Sequence, residues 1–188
     1  MYSNPNMYQC PYNTNMPMYN AYNMYQYPYF ANMPMQFPSQ YITNSSQPNA
    51  STPIVLKDYG PNPFSINIEE AAKQNNNFRI ALWTGRHLQL TLMSINVGED
   101  IGLEIHPDLD QFIRIEEGRG LVKMGDKKDR LDFQANVRDD FVFIIPAGKW
   151  HNLINTGNRP LKLYSIYAPP QHPFGTVHKT KKEAEESH

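Results

Sequence analysis

The sequence predicts an all-β domain, a single β-barrel of the jelly-roll kind, entered through one short helix and preceded by a disordered N-terminal arm. Three observations carry that prediction. Composition changes sharply: Met1 to Leu56 contains no Asp, Glu, Lys or Arg, and charge begins at Lys57 and Asp58. Beyond that boundary come short β-branched and aromatic runs, roughly seven to nine of them at intervals of about ten residues, the rhythm of a sandwich or barrel. Gly, Pro and Asn punctuate the runs, as tight turns require. A closed barrel is favoured because closure removes exposed strand edges in so small a domain.

The chain of 188 residues suffices for one ordinary domain plus an appendage. The appendage is the arm over residues 1–56, which holds most of the Tyr and Met and half of the Pro. Its MYSNPNMYQCPYNTNMPMYNAYNMYQYPYF has neither the period of a strand nor that of a helix, and its prolines interrupt both. Such a segment buries too little to offset its ordering entropy. Uncharged and rich in stacking rings, it has the composition of assembly-prone segments. It resembles the Tyr/Asn/Pro-rich arms of bacterial spore coat proteins, which implies a role in anchoring an assembly.

The net charge of −1 and the dispersed Lys and Arg give no footprint for nucleic acid. No apolar run approaches the ~18 residues of a membrane span, and the N-terminus lacks the basic and apolar regions of a secretory signal. These observations favour a cytoplasmic protein, with a spore coat as the alternative. Cys10 is the only cysteine, which excludes an intrachain disulfide and a cysteine-based metal site within one chain.

The elements follow in order. Pro61 and Pro63 keep the approach extended. Asn67 and Glu70 have the spacing of a capping box and open a helix over Ile68–Gln74, which Asn75–Asn77 stop. Phe78–Trp83 and Leu88–Val97 read as a hairpin about Thr84-Gly85-Arg86-His87, with Gly85 supplying the unusual backbone angles. Leu103–His106, Gln111–Glu116, Leu121–Met124, Phe141–Ile145, Lys149–Asn155 and Leu161–Tyr167 read as further strands. After Ala168-Pro169-Pro170 the chain is expected to leave the barrel, and residues 180–188 to form a charged, frayed helical tail. The domain proper is thus placed at residues 57–179.

Two segments carry chemistry: GEDIGLEIHPDLDQFIRIEEG over residues 98–118 and DFVFIIPAGKWHNLIN over residues 140–155. Residues two apart on a strand face the same side, so Glu104 and His106 project together. Arg114 has the opposite parity to Gln111 and is expected outside. In these spacings the chain resembles the cupin superfamily. Its first motif is Gly, five residues, His-x-His, three or four residues, Glu, six residues, Gly; its second is Gly, five residues, Pro-x-Gly, two residues, His, three residues, Asn. Every spacing matches, from roughly Arg79 to Pro170. Three identities differ: Glu104 replaces the first His, Gln111 the Glu, and Asp140 the leading Gly of the second motif.

The resemblance implies a divalent-metal pocket inside the barrel from Glu104, His106, Gln111 and His151. Two imidazoles and one carboxylate suit Mn, Fe, Co, Ni or Zn, with the Gln111 amide oxygen as a weaker fourth ligand. A single carboxylate leaves a 2+ ion with positive charge in hand, which favours an anionic small-molecule ligand. The resemblance extends to small bacterial cupins described as similar to mannose-6-phosphate isomerase. It implies a homodimer and a metal-dependent enzyme on a small sugar or carboxylic acid, by isomerase, lyase or dioxygenase chemistry. The alternative is a non-enzymatic structural or ligand-binding cupin joined to a surface assembly by its arm. No catalytic acid or base is identified. Lys149 is expected on the solvated surface, Trp150 in packing and His87 exposed; Asp108 and Asp110 either orient a ligand or are loop carboxylates. His172 and His178 lie outside the matched motifs.

Overall fold

The computed structural model of the protein describes residues 53–187. The expectations for the arm over residues 1–52 lie outside the described residues. In order the elements are α1 (Ile68–Gln74), β1 (Arg79–Thr84), β2 (Gln89–Ile95), β3 (Glu104–Ile105), β4 (Asp110–Glu117), β5 (Arg119–Gly125), β6 (Phe133–Arg138), β7 (Val142–Ile145), β8 (Trp150–Asn155), β9 (Leu161–Ala168), β10 (Val177–His178) and α2 (Lys181–Glu186).

The strands form two antiparallel sheets, one ordered β10-β1-β2-β9-β4-β7 and the other β3-β8-β5-β6. Their inner faces enclose a core in which Ile95, Ile113, Ile115, Leu161 and Leu163 meet Val122, Val137 and Leu153. Each such side chain contributes roughly 1.5–3 kcal/mol by leaving water. The outer face of the first sheet is also covered. Ile80, Leu82 and Leu92 lie beneath Ala71 and Ala72 of α1, with Ile54, Leu56, Tyr59 and Phe64 packed around them. Ile54 and Leu56 therefore belong to the packed structure although they precede the first charged residue.

Helix α1 has the bounds its capping signal predicts: the Asn67 side chain accepts from the Glu70 N–H at 3.2 Å. Glu69 and Lys73 pair along its exposed face. The β1–β2 hairpin forms, but Gly85 does not supply a positive φ, which occurs elsewhere. Its reason is space, since a Cβ there would stand 2.2 Å from a Trp83 ring atom. Asp140, by contrast, does take a positive φ of 70°, the only described non-glycine residue that does. The backbone thus keeps the turn that the cupin motif builds with Gly, and Asp is among the few residues that tolerate it. Its carboxylate accepts from Arg114 at 2.7 Å, and Arg114 faces outward as its parity requires.

Two segments depart from expectation. The hairpin that Leu121–Met124 and Gly125-Asp126 lead one to expect does form, but its second strand, given no bounds by the sequence, is β6, which pairs with β5 from Arg119↔Arg138 to Met124↔Phe133. It is a sheet edge whose side chains are mostly exposed, so it has little apolar alternation to betray it. Past Pro170 the chain does not leave the barrel. It turns back so that His172 exchanges two hydrogen bonds with the Gln89 side chain, and β10 pairs with β1. The tail is not frayed: the Thr180 hydroxyl caps α2, and Ala184 packs into the core at 4% exposure.

Candidate metal centre

The register of the second sheet places Glu104 of β3 directly opposite His151 of β8. Strand β3 is only two residues long, so His106 lies just past its end. It is held there because its carbonyl accepts from the Gly148 N–H at 2.8 Å. Gly148 closes the Pro146-Ala147-Gly148 turn with a φ of 78°, a conformation natural to glycine. The Asp110 carboxylate accepts from the Ala147 N–H at 2.9 Å and braces the same turn. Asp110 is therefore a turn brace, while Asp108 is exposed.

Glu104, His106 and His151 converge. One Glu104 carboxylate oxygen lies 3.6 Å from His106 Nε2 and 3.4 Å from His151 Nε2. One ligand atom from each residue can be chosen so that all lie within 4.8 Å of one another. Donors bound to one ion at about 2.1 Å lie roughly 3–3.4 Å apart, so the group needs little adjustment to close on a cation. Both imidazoles are buried, and neither Nε2 has a hydrogen-bond partner. His151 Nδ1 lies 2.9 Å from the Lys149 carbonyl, which fixes the proton on Nδ1 and leaves Nε2 as the free donor atom. Burial pushes the Glu104 carboxyl up, but the two imidazoles and the charge of Arg79 outweigh it and hold the group well below the ordinary glutamate range. It is thus an anion at neutral pH, as a metal ligand must be.

Gln111 is buried on β4. Its Nε2 donates to Ser165 Oγ at 2.9 Å, which leaves its Oε1 pointed away from that bond and without a partner. On β9 its register neighbour is Tyr167, whose ring meets His106 edge-on at 5.7 Å. Of the other residues singled out, His87 is exposed, Lys149 pairs with Asp126 at the surface, and Trp150 packs beneath Lys128 at 5.5 Å. His172 is buried, its ring edge-on to Tyr167 at 5.2 Å, so the returning chain brings it close to the centre.

Four residues in this interior carry no motif signal. Arg79 on β1 is 2% exposed, and its Nε and Nη1 have no partner. Thr91 and Tyr167 are fully buried with unpartnered hydroxyls, and Ser165 is buried beside Gln111. Burial pushes the Tyr167 hydroxyl pKa up, so it remains a donor. Only the inward parity of β2 and β9 could have suggested Thr91, Ser165 and Tyr167. A cavity of about 280 Å³ reaches this end of the barrel, with Arg79 and Glu104 in its wall and Gly102, Leu103, Lys181 and Ala184 around it.

A family profile described as a cupin domain matches residues 91–167. The uncharacterized protein YrkC of Bacillus subtilis (strain 168) is 57% identical over 98% of this chain and 97% of its own. The uncharacterized protein L612 of Acanthamoeba polyphaga mimivirus is 42% identical over 61% of this chain and 70% of its own. Among solved structures, that of BH2720 from Bacillus halodurans is 69% identical, covers 70% of this chain and 99% of that one, and superposes with a TM-score of 0.69.

Proposed function

This chain belongs to the cupin superfamily, and we propose that its barrel holds a divalent transition ion and acts on a small oxygenated molecule. The observation that carries this reading is one carboxylate oxygen of Glu104 set 3.4–3.6 Å from two buried, unpartnered imidazole nitrogens. Glu104, His106 and His151 are the ligands, and the Gln111 amide oxygen is a weaker fourth. A 2-His-1-carboxylate set suits Mn, Fe, Co, Ni or Zn.

Such an ion supplies Lewis-acid polarisation of a bound oxygen. The chain supplies the rest. The Lys149 carbonyl orients the His151 ring, Ser165 orients Gln111, and the His106 carbonyl ties the first ligand pair to the Pro-Ala-Gly turn before His151. Isomerase, lyase and dioxygenase chemistry are all open to this set. The metal content of protein purified without chelators tests the reading, with His151→Ala as control. About one ion per chain is expected in the wild type and none in the variant; a wild type that stays empty after incubation with Mn, Fe, Ni or Zn salts sinks it.

A second reading, a non-enzymatic module joined to an assembly by its arm, has support from the charge-free composition of residues 1–52. On that reading, deleting those residues abolishes assembly and leaves metal loading unchanged.

A further inference from the structure

The barrel holds a buried positive charge that is not itself one of the metal ligands. A guanidinium stays ionised in any protein setting, so Arg79 carries its charge inside the barrel. At 2% exposure it has lost most of its water, and Nε and Nη1 have no hydrogen-bond partner. Among the described residues no carboxylate is within ion-pair distance of it; Phe78 offers only a ring face at 5.6 Å. Glu104 feels its charge, but that carboxylate makes its contacts with His106 and His151. A buried charge with unfilled donors is among the costliest features a core can hold. The arrangement makes sense when a ligand supplies the missing anion.

The surroundings define that ligand. Arg79 and Glu104 line the same cavity of about 280 Å³, below the ~300–1,000 Å³ of pockets for drug-sized molecules, so the ligand is small. Its wall sets Phe78, Ile101, Leu103 and Ala184 beside two cations, Arg79 and Lys181, and two carboxylates, Glu104 and Glu185, so a singly charged anion is better tolerated there than a dianion. The Tyr167 hydroxyl, fully buried and close to both Arg79 and Ser165, is a second donor at this end of the barrel.

We infer that Arg79 is the anchor for the carboxylate of a small organic acid, which reaches the Glu104-His106-His151 group through the cavity beneath α2. The inference deepens the proposed function by naming the substrate class and the residue that selects it. A neutral sugar leaves Arg79 unanswered.

Isothermal titration of the full-length protein tests this. The probes are acetate, oxalate, malonate and lactate, with glucose and inorganic phosphate as contrasts, each on chelator-treated and on Zn(II)-reconstituted protein. At least one carboxylate is expected to bind saturably and more tightly than glucose or phosphate. Arg79→Met is expected to weaken it at least about tenfold, the scale of a lost charged hydrogen bond. Arg79→Lys keeps the charge and is expected to fall between. Without ligand, Arg79→Met is expected to melt no lower than the wild type, since it removes an unpaired charge, and to keep the same zinc stoichiometry. Carboxylate binding unchanged in both variants, tighter binding of phosphate or glucose, or no carboxylate binding by the wild type in either metal state overturns the inference. If Arg79→Met fails to fold, a carboxylate affinity of Arg79→Lys equal to the wild type's overturns it and a weaker one supports it. A wild type that takes up no ion yet binds carboxylate through Arg79 defeats the metal reading alone.

Discussion

The two ends of the barrel interior are built on the same strands and differ only in what those strands point inward. On β9 the buried, inward series runs Leu161, Leu163, Ser165, Tyr167; on β2, in register with it, the series runs Ile95, Met93, Thr91, Gln89. On β4 it runs Ile115, Ile113, Gln111, and across the barrel on β8 Leu153 is followed inward by His151. Alternation is unbroken, but at one level the chemistry changes from hydrocarbon to donors and acceptors. The apolar end accounts for cohesion, while the polar end concentrates orphaned groups: two imidazole nitrogens, an amide oxygen, two hydroxyls and a guanidinium. A strand pattern can thus specify a fold with half its length and a site with the other half.

The largest break in that comparison comes from the apolar end. Leu163→Ala should cost about 2–5 kcal/mol of unfolding free energy by urea titration. Its metal affinity, read on the folded fraction, should stay close to the wild type's. Next is removal of the ion. Protein held with zinc at about 100 times its dissociation constant should lose roughly 2.7 kcal/mol on chelation. His151→Ala should show no such shift by differential scanning calorimetry; an equal shift there would mean the ligands lie elsewhere.

Glu104→Gln sharpens the contrast, because it preserves shape and removes charge. Metal affinity should fall by at least ~10–100-fold, the scale seen even for outer partners of a metal site. Metal-free stability should fall at neutral pH, since a carboxylate held below its ordinary range stabilises the fold while it is ionised. The smallest effect concerns the cover of the polar end. Lys181 of α2 pairs with Asp100, and Lys181→Ala should cost about 0.2–1 kcal/mol. Burial raises the Asp100 carboxyl, but bonds from Asn152 and Lys181 outweigh this and hold it below the ordinary 3.8. An acid whose folded pKa is depressed contributes stability above its unfolded value and loses it as pH falls. The variant's deficit should therefore be full at neutral pH and shrink as the pH drops below about 3.8.

The barrel was legible because its strands alternate over residues that must be buried, and α1 because Asn67 and Glu70 state its start. Glu104, His106 and His151 were legible through their match to the cupin motifs, whose spacing and Pro-Ala-Gly turn survive the changes of identity. What escaped had no local signal. Strand β6 is an exposed edge, and β10 is two residues formed by a return over a long loop. Ala184 marks no amphipathic face by itself, yet it is the residue that seats α2. Arg79 reads as an ordinary strand-edge cation, and only closure of the sheets turns it inward.

The hydrogen bond from Gly148 to His106 has a consequence in time as well as in space. It joins the two motifs across the β4-to-β7 stretch, and among the described residues β3 has no strand partner but β8 to hold Glu104 in place. A chain emerging from the ribosome offers Glu104 and His106 long before His151 exists, and the centre closes only when β8 docks. Capture of an ion by this group would therefore follow synthesis of most of the domain. An ion held there would clasp β3 to β8 and, if that contact forms after the folding barrier, would slow unfolding rather than speed folding.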